Sequence, residues 1–269
     1  SIGYLEKTSN YICVDCVQAD KKIGWIHTDY NKLDADKDFD ERYLSKLDYI
    51  VTISEECEAV LKKEFNNLNE RVKVIRNIVS PSTIKKMSVE SIDILKDDYE
   101  KLIVSIGRLS HEKGFDIAIK ACKILKNKGV KVKWIVVGDG PERDLLEKLI
   151  DENKVKCEFL LIGATSNPYK YLSKADIYVQ PSRFEGKSIA MDEAKILNKP
   201  IVATNFSTVK DQIIDKVDGI ITEMNSEDLA RGIMKLLFDS NLKISIENNL
   251  KKLKLGTESE IYKLYDLID

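Results

Sequence analysis

The sequence has no surplus of either charge: 43 basic side chains stand against 45 acidic ones, a formal net charge of −2. Without a global field there is no long-range attraction to nucleic acid or to an anionic membrane, although a local patch is compatible with that balance. Any apolar run of about 18 residues is also missing, which excludes an ordinary transmembrane helix. The opening SIGYLEKTSN has neither the basic nor the apolar region of a signal peptide. Cysteine is sparse, odd in number at five, and scattered, which points to reduced thiols in the cytoplasm rather than a disulfide framework. Only Cys13 and Cys16 form a CxxC, with no second pair and no nearby histidine, so metal or redox use is not expected there. What is present, 43% hydrophobic and 33% charged over 269 residues, is a globular composition, long enough for one large core or two modest ones.

From Leu102 onward, short β-branched runs alternate with amphipathic stretches. LIVSIG reads as a strand and Phe115 to Lys128 as a helix closed by Gly129. VKWIVVG is the next strand, and PERDLLEKLIDEN a helix with Pro141 in its first turn. CEFLLIG, ADIYVQ, PIVAT and GIITE supply further strands. Runs that are apolar on both faces and separated by helices predict a parallel sheet covered on both sides, with ligands bound beyond its carboxyl ends. Residues 1–80 read differently, as a helical opening, three strands (KKIGWIHT, DYIVTIS, RVKVIRN) and an acidic stretch, DADKDFDE. Three strands are too few for a complete doubly wound domain. Pro81 and many polar residues predict a linker over Ser80–Asp98.

The strand LIVSIG runs into GRLSHEKG. Gly107 is expected to relieve the backbone at the strand exit, and Arg108 and Lys113 follow in one loop. Two cations at a strand's carboxyl end suit a diphosphate, the guanidinium gripping oxygens in a fork and the ammonium acting as a point charge. A solvated loop would look the same in this segment alone. ADIYVQ runs into PSRFEGKSIAMDEA, where Glu185 precedes a predicted helix and Glu193 lies about two turns into it. Gly186 allows close approach of a ligand, and the amides of Lys187, Ser188 and Ile189 offer an anion site at the helix N-terminus. Paired carboxylate oxygens match a diol, so Glu193 fits a ribose and Glu185 a sugar ring. The plainer alternative has Glu185 favouring the helix dipole and Glu193 in a surface pair. VVGDGP lacks the third glycine of G-x-G-x-x-G and lies on an internal strand, which excludes a dinucleotide oxidoreductase.

GRLSHEKG, VVGDGP, the two glutamates eight residues apart from Glu185 to Glu193, and KPIVAT together resemble family 4 retaining glycosyltransferases of the GT-B fold (glycosyl transferases group 1). WIHTDY, DYIVTIS and VKVIRN resemble the end of that family's acceptor domain, especially in bacterial enzymes that build surface polysaccharides. The resemblance implies an α/β fold with a complete Rossmann-like donor domain at 86–250, a partial, N-terminally truncated Rossmann-like acceptor domain at 1–85, and a C-terminal helix at 251–269 returning to the latter. It implies transfer of a sugar, with retention, from a nucleotide-diphosphate donor, a UDP-sugar by preference, to a glycan or lipid-linked acceptor, with no cofactor and no metal. Arg108 and Lys113 would neutralise the leaving diphosphate, Glu185 hold donor-sugar hydroxyls and Glu193 the ribose, and Gly163 and Ala164 lie near the base. Lys187 stands where the family has an aromatic or small residue, and implies an added phosphate contact; Asp211 stands where Glu is usual.

A histidine placed like His27, in WIHTDY, faces the donor's reacting end in the family, implying a hydrogen bond to donor sugar or acceptor; a half-buried histidine capping its loop also fits. His111 has no expected role. Asp34, Asp36, Asp38 and Asp40 mimic a D-x-D metal motif, but in a polar stretch that reads as a solvated loop or helix start. The chain is expected to be part of a longer cytoplasmic protein, at the inner face of the cell membrane in its full-length form. An incomplete first domain would leave Tyr4, Leu5, Ile12 and Trp25 as a dimerisation surface. The alternative to an enzyme is a non-catalytic nucleotide-sugar-binding subunit whose acceptor half comes from a partner.

Overall fold

The computed structural model describes residues 1–92 and 101–269, so residues 93–98 of the expected linker lie outside the described residues. The chain divides into two compact units, Ser1–Val79 with Thr257–Asp269, and Ser80–Gly256. The family resemblance implied these divisions at 85/86 and 250/251.

The first unit is built from β1 (Ile2–Tyr4), α1 (Thr8–Cys16), β2 (Ile23–Ile26), α2 (Lys37–Leu44), β3 (Tyr49–Thr52), α3 (Glu55–Glu64), β4 (Val72–Val74) and the C-terminal helix Glu260–Ile268. Among the described residues its strands form one parallel sheet in the order β1-β2-β3-β4. The period-2 alternation of a strand divides the core between two faces. Ile26 and Ile50 pack with Leu44, Leu61 and Phe65 on one side, while Ile23, Trp25 and Val51 pack with Ile75 and Leu267 of the C-terminal helix on the other. That helix is tied down where Glu260 accepts the Arg76 amide at 2.9 Å.

Several local expectations change here. The helical opening is preceded by β1, a strand too short and too exposed to carry an alternation signal. Trp25 is 4% exposed, so it belongs to the core and not to a dimerisation surface; Tyr4, Leu5 and Ile12 are exposed. In the acidic stretch, Asp36 caps α2 by accepting the Phe39 amide at 3.1 Å. Asp40 is buried and accepts the hydroxyls of Tyr11 and Tyr30, so its carboxylate is satisfied by phenols.

The second unit runs α4 (Pro81–Met87), β5 (Lys101–Ile106), α5 (Phe115–Asn127), β6 (Val132–Val137), α6 (Arg143–Glu152), β7 (Phe159–Leu161), α7 (Tyr169–Lys174), β8 (Ile177–Gln180), α8 (Ile189–Ile196), β9 (Ile201–Thr204), α9 (Val209–Gln212), β10 (Gly219–Thr222), α10 (Ser226–Phe238) and α11 (Ser240–Leu250). All strand pairings are parallel, in the order β10-β9-β8-β5-β6-β7. The chain winds outward from β5 to β7, then returns to β8 on β5's other side and winds out to β10. The carboxyl ends of β5 and β8 therefore flank the switch point, the crevice where doubly wound sheets bind ligands.

Pro81, expected to break the chain, instead occupies the first turn of α4 behind the Ser80 cap. Pro141 lies just before α6, which starts at Arg143. α8 starts at Ile189, so Glu193 lies about one turn into it. Gly107 does not need to be glycine: a Cβ there would meet Lys113 and Phe115 at 3.5 and 3.6 Å, ordinary contact distances. The constrained glycine is Gly138, with φ 153° and a Cβ position 1.9 Å from the Gly107 carbonyl oxygen.

Gly138→Ala should therefore lower the chemical-denaturation midpoint, by a free energy of about 2–4 kcal/mol, because backbone strain and a backbone clash add. Gly129→Ala is the control: φ is 75° but nothing lies within 4 Å, so only the left-handed penalty of about 1–2 kcal/mol applies. Equal losses in the two variants would refute the clash.

Candidate functional site

At the switch point the loops after β5 and β8 are fastened together. The β5 loop turns at Gly114, in the left-handed conformation (φ 65°), where a Cβ would lie 2.1 Å from the Pro181 carbonyl. From the β8 loop, Arg183 donates its amide to the Glu112 carbonyl at 2.7 Å and its guanidinium to both Asp116 oxygens at 2.7 Å. Burial pushes the Asp116 pKa up, but the Arg183 hydrogen bonds and charge outweigh it and hold the carboxyl below its ordinary value.

This fastening brings Lys113 to Glu185. The Lys113 Nζ donates to Glu185 Oε1 at 2.7 Å and Oε2 at 2.9 Å. Glu185 is 7% exposed, and a buried carboxylate needs hydrogen bonds as well as a counter-charge. Gln180 Nε2 and Ser182 Oγ supply them to Oε1, at 2.9 and 2.7 Å. The Tyr178 hydroxyl and Ser188 Oγ both donate to Gln180 Oε1, which fixes the orientation of that amide. Thr208 holds the Glu185 backbone carbonyl at 2.9 Å. Glu185 Oε1 is thus saturated from the protein, and Oε2 has Lys113 alone. Arg108, in the same loop as Lys113, is exposed and forms no ion pair with any described residue.

The start of α8 differs from a row of three open amides. Ser188 is buried; its side chain caps the Met191 amide and its own amide donates to Gln212 Oε1 at 2.8 Å. Gln212 returns Nε2 to the Ser188 carbonyl at 2.9 Å, and its own carbonyl accepts from Lys195, which is paired with Asp218 at 2.7 Å. Lys187 is exposed and 3.5 Å from Asp192, and Gly186 and Ile189 are exposed. Glu193 Oε1 accepts from the Tyr169 hydroxyl at 2.8 Å. Burial pushes the Glu193 pKa above its ordinary value, against the lowering by Tyr169. Gly163, with φ 83°, receives the Gly138 amide at 2.9 Å, and Ala164 beyond it is exposed.

Gln180, Ser182, Gln212, Lys195 and Tyr169 are the members of this arrangement that sequence reasoning missed. Only Gln180 had a legible signal, as a polar residue ending an apolar strand. His27 belongs to the first unit, with its amide on Glu6 at 2.6 Å; burial outweighs the Glu6 charge and lowers its pKa from the ordinary value. His111 is exposed, 4.0 Å from Glu142. One surface groove, about 630 Å³, lies elsewhere beside Glu55, Glu58 and Lys73; another, about 380 Å³, is lined by Leu145, Leu149 and Glu152 together with His111 and Asp116.

Two parallel α/β units in one chain, one of them a doubly wound sheet with a charged pair at its switch point, define the class: an α/β protein of the GT-B type. The chain belongs to the family of glycosyl transferases group 1, whose model matches residues 89–253. It is 25% identical over 257 residues to an uncharacterised glycosyltransferase of Methanocaldococcus jannaschii, covering 82% of this chain and 63% of that protein. It is 29% identical over 193 residues to an N-acetylgalactosamine-N,N'-diacetylbacillosaminyl-diphospho-undecaprenol 4-alpha-N-acetylgalactosaminyltransferase of Campylobacter jejuni, covering 71% of this chain and 51% of that one. The structure of a mutant of S. aureus TarM, in complex with Fondaparinux, alpha-GlcNAc-glycerol and UDP, superposes with a TM-score of 0.69 at 24% identity, covering 93% of this chain and 51% of that one. The chain thus spans between half and two thirds of the length of these relatives. Among the described residues no helix is long and apolar enough to cross a membrane.

Glu193 supplies a pH test. A carboxyl whose folded pKa is raised disfavours the folded state once it ionises, so its cost is present at pH 7 and disappears below the ordinary value of 4.5. Glu193→Gln keeps an acceptor for Tyr169 without the charge. It should raise the melting temperature at pH 7, and the gain should vanish by pH 4; a gain independent of pH would exclude ionisation as its cause.

Proposed function

We propose that the second unit binds the donor of a retaining glycosyltransferase, and that the full-length protein moves a sugar from a nucleotide-diphosphate sugar, UDP-linked by preference, to a glycan or lipid-linked acceptor in surface polysaccharide synthesis. The observation that carries this reading is the pair of half-buried Lys113 and buried Glu185 at the switch point, with Arg108 exposed in the same loop as Lys113. A structural ion pair would need no unpaired arginine in the same loop. UDP in the TarM complex, and transfer to a diphospho-undecaprenol-linked sugar by the Campylobacter relative, support the donor and acceptor classes.

In this reading Arg108 grips diphosphate oxygens and Lys113 turns a remaining N–H toward the oxygen that leaves. The bond between the anomeric carbon and that oxygen breaks, a bond to the acceptor hydroxyl forms on the same face, and the hydroxyl proton passes to the leaving diphosphate. Glu185 Oε2, which has only Lys113, receives donor-sugar hydroxyls, while Gln180 and Ser182 keep the carboxylate from turning. Glu193 receives the ribose diol, Gly163 and Ala164 border the base, and the Gly186–Ile189 segment borders the diphosphate with Lys187 as an added cation. His27, in the first unit, is a hydrogen-bonding group toward donor sugar or acceptor in this reading.

Calorimetry with UDP, UDP-N-acetylglucosamine, UDP-glucose and GDP tests the donor assignment. UDP should bind more tightly than GDP. Arg108→Ala and Lys113→Ala should each weaken UDP about ten- to hundredfold, the range for lost charge-assisted hydrogen bonds. Glu193→Ala should weaken UDP, whereas Glu185→Ala should spare UDP and erase the preference among UDP-sugars. Variants that bind every nucleotide like the parent would overturn the site. Binding by the full-length protein without release of free UDP would leave the non-catalytic nucleotide-sugar-binding subunit as the reading.

A further inference from the structure

The carboxylate of Glu193 is held differently from that of Glu185. Its Oε1 accepts from the Tyr169 hydroxyl at 2.8 Å, and among the described residues its side chain makes no other hydrogen bond and no ion pair. Asp192 beside it has two partners, Lys187 at 3.5 Å and Gln212 Nε2 at 3.1 Å. The last torsion of a glutamate is broad and two-fold, so nothing within the side chain decides which way the carboxylate plane faces. A donor of fixed position decides it.

Tyr169 has such a position. It is the first residue of α7, directly after Pro168, whose ring fixes φ at −72°. On one side of it Asn167 donates Nδ2 to the Met87 carbonyl at 2.8 Å, and on the other Ser173 donates to the Ser88 carbonyl at 2.7 Å. These bonds fasten both the β7–α7 connection and α7 itself to the end of α4, and Leu172 anchors the helix in the core. Burial, then the hydrogen bond to Glu193, raise the Tyr169 pKa, so the phenol keeps its proton and stays a donor. With Oε1 taken by this donor, Oε2 is the oxygen left for a ligand, and it faces in one direction. A plain tie between α7 and α8 would use the same Tyr169–Glu193 bond, but it would give Oε2 nothing to do.

We propose that Tyr169 is a positioning residue for nucleotide recognition: by holding Glu193 Oε1 it aims Oε2 at the ribose hydroxyls, and so sets how strongly the chain prefers a ribose to a sugar without them. Tyr169 acts through Glu193 and need not touch the nucleotide. The inference rests on the reading that Glu193 receives the ribose diol. It gives the β7–α7 connection a second part to play, since Gly163 and Ala164, which border the base in that reading, precede Tyr169 in the same segment.

The test is calorimetric titration of the wild-type chain, Tyr169→Phe and Glu193→Ala with UDP and with 2′,3′-dideoxy-UDP, which lacks both ribose hydroxyls. The wild type should prefer UDP about ten- to hundredfold, the range for hydrogen bonds to a charged group. Tyr169→Phe keeps the ring and loses only the hydroxyl. It should weaken UDP about three- to tenfold and leave dideoxy-UDP within about twofold, so the preference falls. Loss of a tie between α7 and α8 alone would weaken both nucleotides alike, and a preference unchanged from the wild type overturns the proposal. Tyr169→Leu, which also lacks the hydroxyl, decides the same question where the phenylalanine variant does not fold. Glu193→Ala should abolish the preference. If it does so while Tyr169→Phe keeps the wild-type ratio, Glu193 retains its role and only the inference about Tyr169 fails. If Glu193→Ala leaves the ratio intact, the ribose reading fails and this inference with it; a wild type that does not bind UDP sinks the donor reading as a whole.

Discussion

A carboxylate removed from water must recover its hydrogen bonds from the protein, and the centre of the second unit is arranged around that requirement for Glu185. Lys113 supplies the counter-charge from the β5 loop, while Gln180 and Ser182 supply neutral donors from the end of β8. Neither set acts without the other. A lysine alone would leave the carboxylate free to follow it, and neutral donors alone would leave a buried charge uncompensated. The clamp of Arg183 on Asp116, with its amide on the Glu112 carbonyl, holds the two loops at the separation the pair requires.

Satisfaction of polar groups continues from Glu185 into the fold. Ser188 links Gln180 to Gln212, and Gln212 links Ser188 to the buried Lys195–Asp218 pair. These contacts join the start of α8 to the end of α9 and to the turn before β10. Because Gln180, Ser188 and Gln212 each donate to one neighbour and accept from another, the network has one orientation of each of these amides and hydroxyls. That is the preorganisation a site needs when charge is to be met without rearrangement. Glu193, by contrast, has the Tyr169 hydroxyl as its partner and a pKa that burial pushes above the ordinary value.

Much of this architecture was legible in the sequence. Strands such as VKWIVVG and PIVAT, apolar on both faces, predicted a sheet covered on both sides. Elements were missed where a short segment has too little pattern: β1 has three residues, and α4 begins at a proline that sequence reading took for a break. Trp25 was misassigned to a surface because the strand it sits on packs against a helix more than 200 positions away in sequence.

The sequence by itself determined the periodicity of the strands and helices, the family, and the residue types at the strand ends, because these are set by local pattern and short motifs. It did not determine which of those residues touch. Lys113 and Glu185 are 72 positions apart, and both read as groups reserved for a ligand; only the return of the chain to β8 beside β5 makes them partners. Ser188 and Gln212, 24 positions apart, read as an open amide and an unremarked glutamine. Hydrogen bonds act over about 3 Å, and which groups come within that distance is decided by the crossing of parallel strands, which no local segment encodes.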